Sequence, residues 1–105
     1  MKNICTISDI NYLHQGLALY ESLKKTSNNF TLHYLCLCDT SYSIVSKIDN
    51  TNIKAYHVKD LLVKDEKLVA IKASNYSYFC WLLASYFSHE LISDVDSILY
   101  VDSDI

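Results

Sequence analysis

Four short apolar runs punctuate this chain, at residues 3–7, 30–38, 53–58 and 98–101, and the segments between them carry apolar side chains at helical spacing. A strand has a side-chain period of two and a helix one of 3.6, so this alternation constrains the fold more than any other feature. Strands separated by helices pair in parallel and stack into an α/β layer architecture. The expected order begins with a buried strand at 3–7, then the polar break Ser8-Asp9-Ile10-Asn11. A helix follows over 12–25, with Leu13, Leu17 and Tyr20 recurring on one side. Gly16 lies inside that helix, where glycine costs about 0.5–1 kcal/mol relative to alanine, so its presence predicts close packing of helix on sheet.

Residues 30–38 read as a strand covered on both faces. A short helix is expected over 41–48 with Ile44, Val45 and Ile48 inward, and a third strand over 53–58. From 59 to 74 the period is ambiguous; Leu61, Leu62, Leu68 and Val69 need a core, and a short helix over 66–72 is the expectation. Phe79, Leu82, Leu83, Tyr86, Phe87 and Leu91 follow the helical period over 76–92, the clearest helix in the chain. Its aromatic stripe is read mainly as core, and residues 98–101 close the pattern as a buried strand.

The 105 residues suit one domain, 1–105, and a single glycine with no proline leaves no linker at which to divide it. The net charge is −3, with nine lysines, no arginine and no basic stretch longer than Lys24-Lys25, which argues against nucleic acid as a partner. No apolar run approaches the roughly 20 residues of a bilayer span. The N-terminus lacks the features of a signal peptide, so a cytoplasmic location is expected. Cys5, Cys36, Cys38 and Cys80 sit in apolar runs and read as reduced core thiols, and Cys36-Leu37-Cys38 lacks the spacing of a zinc site. Abundant Lys, Asn, Ile and Tyr with no Arg suggest an AT-rich bacterial genome.

In an open parallel sheet ligands bind beyond the carboxyl ends of the strands. Two polar clusters fall at such ends: Ser8-Asp9-Ile10-Asn11-Tyr12 after the first strand, and Asp102-Ser103-Asp104 after the last. Residues two apart in extended chain share a face, so Asp102 and Asp104 can turn toward one hard cation, and paired carboxylates suit Mg²⁺ or Mn²⁺. Such an ion keeps positions open for phosphate oxygens and can neutralise charge on a departing diphosphate. Asp94-Val95-Asp96 has the same spacing but lies in a polar link before the strand, where it is expected to solvate a turn or a cap. Asp9 or Asn11 also suits the N-cap of the helix beginning near Tyr12. His14, His33, His57 and His89 are scattered and read as surface or strand residues, and no nucleophile–base pair emerges.

Together the two clusters resemble the nucleotide-sugar glycosyltransferases of the GT-A fold, especially the family containing bacterial lipopolysaccharide galactosyltransferases and glycogenin. The resemblance rests on Asp9-Ile10-Asn11-Tyr12, on Gly16 and Ser22-Leu23 in the following helix, on the aromatic helix, and on ILYVDSDI at residues 98–105. It implies a Rossmann-like GT-A layer and transfer of a sugar from a nucleotide-diphosphate donor, a UDP-sugar, to a saccharide or lipopolysaccharide-type acceptor. The backbone of Ile7 and Ser8 would then pass along the uracil, Asp9 and Asn11 would hydrogen-bond the base or ribose, and Tyr12 would pack on the base. Asp102 and Asp104 would ligate Mn²⁺ or Mg²⁺, with Ser103 against the ribose.

The chain departs from the pattern where many relatives place an Arg two residues after the tyrosine of the aromatic helix: Tyr78 is followed by Phe79-Cys80. Lys72 is a candidate replacement cation. The family also draws its acceptor site and a third metal ligand, often a histidine, from residues beyond the motif. The expectation is therefore an N-terminal part of a longer enzyme, itself inactive and able to associate through surface that the missing part would cover. Two competing readings accompany this one. An apolar strand ending in Asp-x-Asp also resembles the haloacid dehalogenase signature of phosphoryl transferases, although that motif opens its domain and is not followed by Ile. The other is a noncatalytic α/β module binding a nucleotide or protein.

Overall fold

The computed structural model describes residues 2–26, 29–48, 52–93, 95 and 97–101. Four parallel strands form one sheet, β1 (Lys2–Ser8), β2 (Phe30–Cys36), β3 (Ile53–His57) and β4 (Leu99–Tyr100), in the spatial order β3-β2-β1-β4. β1 pairs with β2 along its whole length, from Lys2 opposite Phe30 to Ser8 opposite Cys36. These two interior strands are largely buried on both faces because helices cover both, as expected for a parallel sheet. The architecture is α/β with flanking helices, compatible with a Rossmann-like layer.

Alternation along β1 sorts the core into two. Ile4 points to one face, where it meets Leu32, Tyr34, Leu13 and Tyr20 of α1 (Leu13–Thr26) and Val45 of α2 (Asp39–Ser46). Cys5 and Ile7 point to the other, onto Leu61 of α3 (Val58–Lys64), Leu68 of α4 (Glu66–Ser74) and Phe79, Leu83 and Phe87 of α5 (Tyr76–Ile92). The expectation drawn from Gly16 holds: a Cβ there would lie 2.6 Å from Cζ of the fully buried Tyr34 ring, so only glycine lets α1 approach the sheet this closely.

Several boundaries move for identifiable reasons. β2 stops at Cys36 and α2 begins at Asp39, because Cys38 takes the N-cap position, its Sγ accepting from the Ser41 amide at 3.5 Å. Val58 belongs to a helix rather than to the third strand, since the His57 ring caps α3 through Nδ1, which accepts from the Lys59 amide at 3.1 Å. The ambiguous stretch after it resolves into two short helices separated at Asp65, whose carboxylate caps α4 by accepting from the Lys67 amide at 2.9 Å. All four cysteines are free thiols, Cys5 and Cys36 buried, Cys38 and Cys80 only partly so. Among the described residues no helix is long and apolar enough to cross a membrane.

Candidate functional site

The strand order reverses at β1: β2 and β3 lie on one side and β4 on the other. Such a switch point leaves a crevice beyond the carboxyl ends, because the connections from the two neighbouring strands depart in opposite directions. An open cleft of about 660 Å³ lies there, within the range of small-molecule sites. Its floor is Ile7 and Ser8 of β1 and Tyr100 of β4; Asp9, Tyr12 and Leu37 rim it, and Tyr76, Ser77, Cys80, Trp81, Ala84 and Ser85 of α5 form a wall.

Four of the residues expected from sequence therefore meet in this cleft: Ile7, Ser8, Asp9 and Tyr12. Asn11 does not line it. Its amide is held by Asp9 Oδ1 at 2.9 Å, so Asp9 caps the 3-10 turn Ile10–Tyr12 ahead of α1, and the capping role open to Asp9 in the sequence is realised. The Ser8 side chain turns to the opposite face and pairs with the Tyr34 hydroxyl, while its carbonyl accepts from the Leu37 amide at 3.1 Å. Ser8 thus fixes the end of β1 against β2. Asp102, Ser103 and Asp104 lie outside the described residues; Val101, the last described, donates its amide to the Cys5 carbonyl at 3.0 Å and so keeps β4 beside β1.

The α5 wall escaped the sequence reading, which took its aromatics as core. The inner stripe is in fact Phe79, Leu83, Phe87 and Leu91. Trp81 is two residues from both Phe79 and Leu83, about 200° around the helix, and 72% of it is exposed. That phase offset was the available signal. Tyr78 lies beside Trp81 with ring centroids 5.9 Å apart and the planes tilted by 34°. In the same wall, partial burial pushes the hydroxyl of the half-exposed Tyr76 up to about 12, helped by its bond to Cys80 and by the nearby Asp9 carboxylate. Burial likewise raises the Cys80 thiol, against the opposing pull of its Tyr76 bond, with Asp9 raising it further and Lys72 of α4 lowering it. At neutral pH the wall is therefore uncharged, and Lys72 lies close enough for its field to reach Cys80.

A second polar group gathers at the carboxyl end of β3. His57 Nε2 lies 2.7 Å from Asp39 Oδ1, and Lys59 Nζ is 3.1 Å from the same oxygen. The bond to His57, and then that to Lys59, hold the exposed Asp39 carboxyl below its ordinary value. Because Nδ1 accepts a backbone amide, the ring is the Nε2–H tautomer and both nitrogens are occupied. This His–Asp pair ties α2 to α3 and has no nitrogen left over to act as a base. Among the described residues no three His, Cys, Asp or Glu side chains converge on a point where a metal ion could sit. Compared with protein-family models, curated proteins and solved structures, the chain finds no match.

Proposed function

We propose that this chain is the nucleotide-binding part of a divalent-metal-dependent glycosyltransferase of GT-A type using a UDP-sugar. The observation carrying the reading is the coincidence of Ile7, Ser8, Asp9 and Tyr12 with a cleft at the strand-order reversal, bordered by the strand that leads directly in sequence to Asp102-Ser103-Asp104. Tyr12 offers a half-exposed ring to a base and Asp9 a carboxylate to the base or ribose. The described cleft supplies a single carboxylate, so the ion in this reading rests on Asp102 and Asp104; when bound, it would neutralise the charge that develops on the leaving diphosphate.

The test is UDP binding by titration calorimetry, with Mn²⁺ and with chelator. UDP is expected to bind more tightly with Mn²⁺, and Asp104→Asn to abolish the difference by removing a charged oxygen ligand. Asp96→Asn should leave it intact. Asp9→Ala should weaken UDP in either condition; the lost cap costs about 1 kcal/mol of stability, which a thermal melt separates from lost binding. UDP affinity indifferent to metal and to Asp104 would overturn the reading and leave a noncatalytic α/β module.

A further inference from the structure

We infer that the α5 wall of the cleft is a seat for an uncharged pyranose ring, with Trp81 as its stacking platform. The inference rests on the reading of this cleft as a nucleotide-sugar site, and assigns the wall opposite Asp9 and Tyr12 to a sugar.

Three observations point to that chemistry. The first is the ring surface: Trp81 lines the cleft and is 72% exposed, with the half-exposed ring of Tyr78 beside it, tilted by 34° at 5.9 Å. An aromatic face favours the weakly positive C–H edge of a ligand over an anionic one, and the C–H face of a pyranose has that character. The second is the polar groups around it. Beyond its first turn the backbone N–H and C=O groups of α5 are spent on one another, so a ligand lying against Cys80 to Ser85 is read by side chains. Those beside Trp81 are the hydroxyls of Ser77, Ser85 and Tyr76. A hydroxyl both donates and accepts, and so matches another hydroxyl rather than the fixed donor–acceptor edge of a nucleobase. The third is charge. Among the described lining residues there is no Lys, and Tyr76 and Cys80 are neutral, so this wall carries no charged side chain to pair with a phosphate or carboxylate.

Trp81 is the single tryptophan of the chain and reports directly on the site. The full chain would be titrated with methyl glucopyranoside and methyl galactopyranoside, following Trp81 emission and saturation-transfer NMR, with sorbitol as an open-chain polyol and uridine as a base carrier. A saturable Trp81 response and transfer to ring C–H protons are expected for at least one pyranoside and not for sorbitol. Trp81→Ala should weaken that pyranoside about tenfold or more, in keeping with the loss of an aromatic anchor, while leaving UDP affinity within about twofold. Because Trp81 is mostly solvent-exposed, the variant should melt with the wild type; Ser85→Ala, which keeps the fluorophore, should weaken the pyranoside as well. Pyranoside binding without UDP binding would sustain this inference while removing the nucleotide reading. It is overturned by no pyranoside response, by full pyranoside binding to Trp81→Ala, by uridine alone giving the Trp81 response, or by a concentration-dependent dimer that Trp81→Ala dissolves.

Discussion

The two faces of the sheet are packed differently. On one, a glycine lets α1 settle against Tyr34, whose hydroxyl is tied to Ser8, and the carboxyl ends of β1 and β2 are closed from that side by paired side chains. On the other, α5 meets the sheet through Phe79, Leu83 and Phe87, and its N-terminal half stands as a wall over an open cleft. Both helices have one apolar side, yet only one face keeps space for a ligand. Contact through a residue without a side chain closes a face, whereas contact through aromatic rings seats a helix firmly while leaving room above the strand ends.

The largest effect expected from this contrast is at Phe87, which is fully buried and lies edge-on to Tyr56 with ring centroids 5.1 Å apart. Phe87→Ala should cost about 3–5 kcal/mol in denaturant unfolding, whereas Leu82→Ala, at a half-buried position, should cost distinctly less. Equal losses would mean that α5 is not seated through its inner stripe and that the cleft beside it is not a fixed feature.

Gly16 tests the closed face with a smaller change. Alanine is favoured over glycine in a helix by about 1 kcal/mol, while forcing a methyl group into a filled core costs about 1–3 kcal/mol, so Gly16→Ala should be destabilising by about 1 kcal/mol. Combining it with Tyr34→Leu should remove the penalty, a non-additivity that a double-mutant cycle measures directly. A stabilised Gly16→Ala would show that α1 stands off the sheet, and the contrast between the faces would fail.

The smallest effect is one of pH. His33, buried in β2 on the α5 face, donates from Nε2 to Asn3 Oδ1 at 3.1 Å and accepts at Nδ1 from the Tyr56 hydroxyl at 2.9 Å. Burial, and then the charge of Lys54, lower its pKa below the ordinary 6.5, so the folded state prefers the neutral ring and the unfolded state takes up the proton first. The stability held by the neutral ring is complete above 6.5 and is lost as pH falls from there toward the lowered folded value. Unfolding measured between about pH 5 and 8 should show this slope, and His33→Gln should flatten it. The Tyr34–Ser8 pair on the closed face carries no such dependence, because burial raises the Tyr34 hydroxyl above its ordinary 10.

How far the sequence could be read depended on how local the signal was. The alternation of periods was enough for the strands, for α1 and α5 and for parallel pairing, because it is set by which side chains leave water. Ser8, Asp9 and Tyr12 were legible as a candidate site because a polar break after a buried strand falls at the ligand-binding edge of any parallel sheet, whereas Ile7 was named only through the family resemblance. The helix expected over 66–72 is present as α4, whereas α3 before it was not legible, since it is too short to establish a period and is held by the side-chain cap of His57. Trp81 was missed for a related reason: in a helix rich in aromatics, composition alone does not distinguish the buried side from the exposed one.

By itself, then, the sequence determined the class of fold, the glycine contact and the polar turn after β1, all of which follow from periodicity and residue size along contiguous chain. Only the tertiary structure decided the strand order, and with it that β4 lies beside β1 and that the N-terminal half of α5 walls the cleft. Those placements depend on which surfaces exclude water together across tens of residues, and no local pattern encodes which neighbour a strand will choose.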